Sequence, residues 1–379
     1  MMCQFSERSC PAMYYKEFRG NKISALGLGS LRLPTVPGNA ASIDRTGAME
    51  VIDQAFIEGI NFFDTAFTYH NTDSERFLGE ALSRHPRDSY YLSSKFYVGA
   101  RTDLDHVFEE QLARCRTEYF DFYMLHSVQE QFFDDYMDPE RDYIGYLLKQ
   151  KEAGRIRYLG FSSHAAPDGL EKFLQWHPGF DMALIQLNYL DWTMLDGRRQ
   201  YEILAEHNIP VWVMEPLKGG RLVHLSQEAE DILHAAAPGQ SIPSWSFRYL
   251  MGLDNVQCVL SGMSSPQEVR ANAEVFRESN ALSAAERTAL ERAVNAFRDS
   301  FGVPCSSCRY CCPVCPADLD IPALIQGYNE LTVGGEPWKL FQLTQIKGPE
   351  ACLQCGACVR RCPQRINIPA VMKKYAELR

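Results

Sequence analysis

The chain alternates short apolar runs with longer segments of helical periodicity from residue 23 to residue 262. A buried strand reads as about four to eight apolar residues between turn signals, whereas an amphipathic helix repeats its apolar positions at i, i+3 and i+4. Eight runs have the strand character: ISALGLGS at 23–30, NFFDTA at 61–66, YYLSSKFY at 90–97, FDFYMLHS at 120–127, IRYLGFSS at 156–163, MALIQLNY at 182–189, VWVMEPL at 211–217 and VQCVLSG at 256–262.

Between these runs, helical spacing is visible in Val51, Ile52, Ala55 and Phe56, and in a later segment that ends at Gly154. Eight strands that alternate with helices predict parallel pairing and closure into a TIM barrel. A further helix is predicted from Ala284 to Ser300. We therefore expect an α/β fold, with a (β/α)8 barrel over 14–282, a linking helix over 283–300 and a small C-terminal domain over 301–379.

The C-terminal segment is rich in cysteine and internally repeated. Nine of the thirteen cysteines lie between Cys305 and Cys362. Cys312 has no counterpart in the repeat because Val359 stands at the equivalent position, so we interpret it as a spare thiol. The first copy of the motif comprises Cys305, Cys308, Cys311 and Cys315, and it recurs 47 residues later as Cys352, Cys355, Cys358 and Cys362.

Each copy has the spacing C-x2-C-x2-C-x3-C-P. Three thiolates on one tight loop can reach three corners of a cubane, and the fourth, displaced by the extra residue and by proline, reaches the neighbouring cluster. The alternative is a pair of zinc sites, although zinc does not use the third cysteine and the C-P pair. The spacing predicts two 4Fe-4S clusters, one on Cys305, Cys308, Cys311 and Cys362, the other on Cys352, Cys355, Cys358 and Cys315. The tail resembles bacterial two-cluster ferredoxins, which implies a ferredoxin-like domain.

The overall composition narrows the classes of partner. The chain is 46% hydrophobic and 23% charged, which is typical of a globular protein. Its net charge of -10 argues against binding to nucleic acid. The first 30 residues contain no apolar run of the kind a secretory signal needs, and no segment has the length of a membrane span. We expect a cytoplasmic protein without a nucleic-acid or membrane partner, in which clustered cysteines serve metal or redox chemistry.

Ionisable residues stand at the ends of three consecutive predicted strands. These are Asp64, Lys95 and His126, and Tyr69 follows Asp64 in the next loop. Each also has an ordinary structural explanation. Asp64 could accept hydrogen bonds in a turn, Lys95 could be a surface amine, His126 could be a core histidine, and Tyr69 could pack in its loop. The active sites of such barrels lie at the carboxyl ends of the strands. The convergence of these ionisable side chains on that end therefore favours a catalytic centre.

The barrel segment resembles the aldo/keto reductase family over most of residues 14–280. The resemblance implies a tetrad of Asp64, Tyr69, Lys95 and His126 and a nicotinamide nucleotide, NADH or NADPH. Tyr69 would protonate the carbonyl oxygen, and Lys95, held by Asp64, would lower the pKa of the phenol. His126 would orient the substrate oxygen. The resemblance is carried by GLGSLRLP from Gly27, NFFDTAFTYHNTDSERFLGEAL from Asn61, SSKF from Ser93, DFYMLHS from Asp121, IRYLGFSSH from Ile156 and VLSGMSSPQEVRANAEVF from Val259.

The same resemblance implies a set of nucleotide contacts. Ser162, Ser163 and Gln186 would bind the carboxamide, and Met214 would pack on the nicotinamide ring. The loop after the eighth strand leads into a helix whose free backbone N–H groups can bind phosphate. The candidates in that region are Ser261, Gly262, Met263, Ser264 and Asn272.

The choice of coenzyme depends on Glu268, which the resemblance places beside the nucleotide ribose. An acidic side chain there favours the 2′-hydroxyl of NADH over the 2′-phosphate of NADPH. The alternative is purely structural, because Ser265 and Glu268 also read as a capping box at the start of a helix.

The fusion of barrel and tail resembles a prokaryotic subgroup of iron-sulfur aldo/keto reductases. Residues 1–13 lie outside the resemblance and are expected to be an unstructured or non-native extension, with Met13 a candidate start. We expect reduction of a small carbonyl or redox-active substrate, with a protein as one-electron donor or acceptor. A flavin is a further candidate cofactor, since hydride and single-electron chemistry need a mediator. The alternative is a redox-sensing or regulatory nucleotide-binding module without turnover.

Overall fold

The structure is a computed structural model that describes residues 13–37, 39–194, 196–300, 303–305, 309–332 and 346–378. Its centre is a closed barrel of eight parallel strands. Two antiparallel hairpins, β1–β2 and β4–β5, accompany the first barrel strand. The strands are β1 (Tyr15–Phe18), β2 (Asn21–Ser24), β3 (Leu26–Gly29), β4 (Thr35–Val36), β5 (Asn39–Ile43), β6 (Phe62–Asp64), β7 (Tyr91–Phe96), β8 (Phe120–Val128), β9 (Ile156–Ser163), β10 (Met182–Gln186), β11 (Val211–Met214) and β12 (Val256–Ser261).

Helices follow the barrel strands, as the alternating pattern predicted. The predicted helix between Ala284 and Ser300 is present, and Gly154 adopts φ +75° just beyond the helix that it was expected to end. The helices are α1 (Arg45–Ile57), α2 (Asp73–Leu82), α3 (Leu104–Arg114), α4 (Phe133–Tyr136), α5 (Tyr143–Glu152), α6 (Pro167–Trp176), α7 (Asp191–Met194), α8 (Gly197–Glu206), α9 (Gln227–Ala236), α10 (Ile242–Met251), α11 (Pro266–Val275), α12 (Ala284–Ser300), α13 (Ile321–Thr332), α14 (Ala357–Arg361) and α15 (Ile368–Leu378).

All eight predicted barrel strands are present, and β12 pairs with β3 to close the barrel. The run at 23–30 was predicted as one strand, but it contains the end of β2, a turn at Ala25 and then β3. The β1–β2 hairpin carries Phe18 against Phe62, Phe122 and Trp212 at the amino ends of the barrel strands. The hairpin therefore packs on that end of the barrel, and the carboxyl ends remain for the functional site.

The contacts divide the described chain into two compact units. One holds the chain up to Gly219 together with Pro243–Leu282, and the other holds Gly220–Ile242 together with the chain from Ser283 onward. None of the described helices is both long enough and apolar enough to span a membrane.

The cysteine-rich repeat is visible in the backbone of the second unit. The helix α13 begins at Ile321 and α15 begins at Ile368, and these starting residues are equivalent in the 47-residue repeat. Arg309 (φ 66°) is equivalent to Gly356 (φ 72°), and both are in the left-handed region. Asp318 and Arg365 form a second equivalent pair with positive φ. The two copies therefore share one backbone pattern.

Candidate active site and cysteine recesses

Asp64 and Lys95 form a buried ion pair at the carboxyl ends of β6 and β7. The Lys95 Nζ lies 2.7 Å and 2.6 Å from the two carboxylate oxygens and 2.7 Å from the carbonyl oxygen of Thr65. The hydroxyl of Ser93 donates to the same carboxylate. Burial acts to lower the pKa of Lys95, but Asp64 and Tyr69 raise it, and the net direction is upward. Lys95 is therefore held as an ammonium ion.

Tyr69 lies beside this ammonium, with the Lys95 Nζ 5.1 Å from the centroid of its ring. Burial raises the pKa of the phenol, and Lys95 opposes that effect without overcoming it. The net pKa lies above the ordinary value of 10.0, so the expectation that Lys95 brings it below that value is wrong in its net direction. The phenol consequently stays protonated at neutral pH, which is the form that a proton donor requires.

His126 completes the group of four predicted side chains. Its ring is edge-on to Tyr69, with the centroids 5.9 Å apart, and edge-on to Tyr97 at 5.5 Å. Burial, and then the charge of Lys95, lower its pKa well below 6.5, so the imidazole is neutral. Its Nδ1 is buried and has no hydrogen-bond partner among the described residues. The structure brings the tetrad together at the carboxyl end of the barrel.

The predicted carboxamide-binding residues lie on the neighbouring strands β9, β10 and β11. The Ser162 hydroxyl accepts from the backbone N–H of Ser127 at 2.8 Å and keeps its own proton for donation. The Ser163 hydroxyl donates to the carbonyl oxygen of Val128 at 3.3 Å, so its proton is already used. Gln186 donates to Asp191 at 2.9 Å through its Nε2, which leaves its carbonyl oxygen as an acceptor. Met214 is half-buried on β11.

The predicted phosphate-binding loop follows β12 and leads into α11. Ser261 and Asn272 bond to each other through their side chains at 3.2 Å. Position 262 has no room for a larger residue without a shift of Arg32, because a Cβ there would lie 2.7 Å from the Arg32 Cγ. Met263 is 1% exposed and its side chain packs in the barrel core, so that side chain is not available to a ligand.

The capping arrangement that was the alternative for Glu268 is present. The Ser265 hydroxyl accepts from the Glu268 backbone N–H at 3.2 Å, and the Glu268 carboxylate accepts from the Ser264 N–H at 2.7 Å. The Ser264 hydroxyl donates to the carbonyl oxygen of Arg32. Glu268 therefore has a structural role at this helix start, and contact with a ribose stays a prediction.

The cysteines of the two copies line two recesses in the second unit. The first recess is lined by Cys315, Cys352, Cys355 and Cys358. The second is lined by Cys305, Cys311 and Cys362. Cys308 lies outside the described residues. The spare Cys312 lines neither recess.

Each recess takes its cysteines from both copies of the repeat. The first contains all four cysteines of one predicted set, and the second contains the three described members of the other. Apolar side chains complete the walls, Leu319 and Met372 in the first recess and Ile325 and Ile366 in the second. No group of three or more His, Cys, Asp or Glu side chains in the described ranges is arranged to hold a metal ion. Thiol donors set in an apolar wall fit the ligand chemistry of an iron-sulfur cluster.

Comparison with known proteins agrees with this geometry. The sequence model of the aldo/keto reductase family matches residues 25–295. The chain belongs to the aldo/keto reductase family. The model of the 4Fe-4S dicluster domain matches residues 304–366 of the same chain. This protein is thus an iron-sulfur oxidoreductase of the aldo/keto reductase type, with NAD(P) as its coenzyme class.

Individual relatives of this aldo/keto reductase match between about half and three quarters of the chain. It is 30% identical to a probable aldo-keto reductase 1 of Glycine max over 213 residues, which is 53% of this chain and 58% of that protein. It is 27% identical to L-galactose dehydrogenase of Arabidopsis thaliana, over 72% of this chain and 90% of that one. The holo form of aldo-keto reductase AKR11C1 from Bacillus halodurans superposes with a TM-score of 0.61 at 25% identity, over 74% of this chain and 96% of that chain.

Sequence reasoning missed a buried network behind the tetrad of this aldo/keto reductase. Glu75 on α2 is fully buried and accepts from Ser94 at 2.6 Å and from Gln111 at 2.5 Å. The same Gln111 amide donates to the carbonyl oxygen of Lys95 at 3.0 Å. Burial raises the pKa of Glu75. The network ties α2, which follows the Tyr69 loop, to the strand that carries Lys95.

A second group that was missed lies after β10 and β11. Lys218 and Asp191 form a buried ion pair at 2.5 Å, and Asn188 donates to the same carboxylate at 2.7 Å. Glu215 is partly buried, and burial raises its pKa. The motif MEPLKGG contains two of these charged residues, but nothing in the sequence indicates that Asp191 supplies the counter-charge.

Proposed function

We propose that this protein reduces a small carbonyl or other redox-active compound with NAD(P)H, and that two 4Fe-4S clusters exchange single electrons with a partner protein. The observation that carries the reductase part is the buried Asp64–Lys95 pair beside a protonated Tyr69 and a neutral His126. The cysteine sets of the two recesses support the electron-transfer part.

In the proposed reaction, the nicotinamide supplies a hydride to the carbonyl carbon. Tyr69 gives its phenolic proton to the carbonyl oxygen as negative charge develops there. Lys95 stabilises the phenolate that remains, since an ammonium beside a phenolate favours its charged form. Asp64 holds Lys95 in place, and the neutral ring of His126 orients the substrate oxygen by a hydrogen bond.

The nucleotide would lie across the carboxyl ends of the strands. Ser162, Ser163 and Gln186 would meet its carboxamide, and Met214 its ring. The start of α11 would bind phosphate through backbone N–H groups and Asn272. The carboxylate of Glu268 at the same helix start favours NADH, because it would repel a 2′-phosphate.

The two clusters are assigned by recess. Cys315, Cys352, Cys355 and Cys358 would hold one, and Cys305, Cys311 and Cys362, with Cys308, would hold the other. A hydride carries two electrons, whereas each cluster accepts one. A bound flavin or a redox-active substrate would make this conversion.

Replacement of the phenol tests the reductase part of the proposal. Tyr69→Phe should leave nucleotide affinity unchanged and lower the rate of aldehyde reduction by about 100- to 10,000-fold, which is the usual contribution of general acid catalysis. Nucleotide binding is measured by fluorescence titration, and turnover by NAD(P)H consumption with a panel of aldehydes and quinones. Tyr97→Phe is the matched control. Tyr97 also contacts the His126 ring, but among the described residues it makes no contact with Lys95 like that of Tyr69.

The same assays separate the enzyme from a regulatory module. A regulatory nucleotide-binding protein would bind the nucleotide and consume none with any acceptor. Full carbonyl turnover in Tyr69→Phe would contradict the proposed role of the phenol.

A further inference from the structure

The two copies of the cysteine repeat carry opposite charges. Residues 305–332 contain one basic and three acidic side chains, a net charge of -2. The equivalent residues 352–379 contain six basic and one acidic side chain, a net charge of +5, in a chain whose total is -10. Both copies have the same backbone pattern, so the repeat does not require them to differ in net charge. The positive charge of the second copy in an acidic protein therefore needs a separate explanation.

The basic side chains of the second copy are available to a partner. Arg360, Arg361, Arg365, Lys373 and Lys374, which we call the basic edge, are all exposed. None of the five forms an ion pair within the part of the chain that the structure describes. In the first copy, by contrast, Arg309 pairs with Asp320 at 2.9 Å.

Within the basic edge, Lys373 lies near the recess whose cysteines are the more exposed. Lys373 shares a shallow groove with Cys352 and Gln354, and the carboxylates of Glu350 and Glu377 also line this groove. Cys355 is exposed, and the neighbouring Leu353 is 66% exposed. In the other recess Cys305 and Cys311 are both buried, at 8% and 6%.

The local fold holds this arrangement in place. On α15, Ile368, Met372 and Tyr375 are buried, which leaves Lys373 and Lys374 on the solvent side of the helix. The Gln354 amide donates to the carbonyl oxygen of Pro369 at 3.1 Å and ties the cysteine loop to the start of α15. Apolar and cationic groups are therefore presented together beside the first recess.

We propose that the basic edge, together with the exposed Leu353, is the docking surface for a small acidic electron-carrier protein. The carrier's reduced centre gives one electron to the cluster held by Cys315, Cys352, Cys355 and Cys358; the centre is oxidised, the cluster is reduced, and no proton moves. The inference rests on the proposed function, in which the clusters carry electrons. It names the partner's chemistry and the cluster at which electrons enter.

The physical properties of the surface suit such a partner. Redox partners meet over small interfaces and separate quickly, so they depend on complementary charge for fast encounter more than on buried area. An acidic carrier would be repelled by the net charge of this acidic chain and attracted at the basic edge. An exposed leucine beside the cysteine loop gives the encounter an apolar contact near the cluster.

Charge reversal on α15 tests the docking surface in the full chain with its clusters in place. The probe is a reduced acidic plant-type [2Fe-2S] ferredoxin, and the rate constant for cluster reduction is followed by freeze-quench EPR. Lys373→Glu/Lys374→Glu should lower this rate constant at least about tenfold at about 50 mM salt. The difference should shrink at about 500 mM salt, where charges are screened. Lys373→Arg/Lys374→Arg should restore the rate.

Two controls make the result specific. Lys149→Glu/Arg292→Glu produces the same change in net charge at exposed positions on α5 and α12, and it should leave the rate near that of the wild type. Photoreduced 5-deazariboflavin, a small uncharged donor that needs no docking surface, should reduce the clusters of every variant at the same rate.

The outcomes separate the two proposals. If the small donor fails to reduce the clusters of the wild type, the proposed electron-carrying function fails. If it succeeds and charge reversal leaves the ferredoxin rate unchanged, or if the control pair lowers it equally, the docking surface is overturned. Binding to vesicles of anionic lipid that depends on Lys373 and Lys374, with an unchanged ferredoxin rate, would assign the surface to a membrane and also overturn the proposal.

Discussion

At the scale of single residues, the tetrad shows how burial and charge compete at one site. Tyr69 and Lys95 are close, yet the pKa of the phenol rises, because burial destabilises the phenolate more than the neighbouring ammonium stabilises it. At His126 burial and the neighbouring cation act in the same direction, and both disfavour the imidazolium. The Tyr69 phenol therefore stays protonated, and the His126 ring stays neutral, over the same range of pH.

The directions of the pKa shifts of Tyr69 and His126 predict the pH dependence of carbonyl reduction. The pKa of Tyr69 lies above 10.0, so its donor form persists as the pH rises to that value. The pKa of His126 lies well below 6.5, so its neutral form persists as the pH falls to that value. We expect kcat/KM to show no ionisation of Tyr69, Lys95 or His126 with a midpoint between pH 6.5 and 10. A bell-shaped profile with an apparent pKa of about 7 to 8 that disappears in Tyr69→Phe would contradict the assignment.

At the scale of elements, the close contact between α2 and α3 is set by one glycine. A Cβ at Gly79 would lie 2.2 Å from the backbone carbonyl oxygen of Arg114 and 2.7 Å from the carbonyl carbon of Cys115. Backbone atoms cannot move aside as a flexible side chain can, so a methyl group at this position must push the two helices apart. The α2 helix also carries Glu75, which is bonded to the strand of Lys95.

Gly79→Ala should consequently lower the free energy of unfolding by at least about 2 kcal/mol, as overpacked core positions do. Urea denaturation measures this change. The matched control is Gly169→Ala on α6, where the added Cβ would meet only the flexible carboxylate of Glu130 and should cost less. Equal stability of the two variants would show that α2 can move away from α3 at little cost.

The same elements show what sequence can and cannot predict here. The eight barrel strands were predictable because each is a short apolar run, and Asp64, Lys95 and His126 because they end consecutive strands. The β1–β2 hairpin was missed because its second strand continues into β3 as one apolar run. Glu75 was missed because an acidic residue in the first turn of a helix is ordinarily exposed, where it favours the helix dipole. The net pKa of Tyr69 depends on the depth of burial, which periodicity does not record.

At the scale of the whole molecule, neighbouring cysteines in the first copy have different expected roles. Cys311 lines the second recess, and Cys312 lines neither recess. Two cubanes require about eight irons and eight sulfides per chain. Cys312→Ser should keep that content, whereas Cys311→Ser should lower it, as determined by iron and sulfide analysis of anaerobically purified protein. Bound zinc, or about four irons in the unchanged chain, would contradict the assignment of two clusters.

The sharing of cysteines between the two copies also affects how the cysteine-rich segment assembles and how it would lose its clusters. The first recess needs Cys315 of the first copy, and the second needs Cys362 of the second, so neither wall is complete until both copies have folded. Under the proposed assignment of two clusters, a cell short of iron would accumulate chains with both clusters or with neither, rather than chains with one. Under the same assignment, oxygen damage at one cluster would release a ligand loop of the other, so both clusters would be lost together.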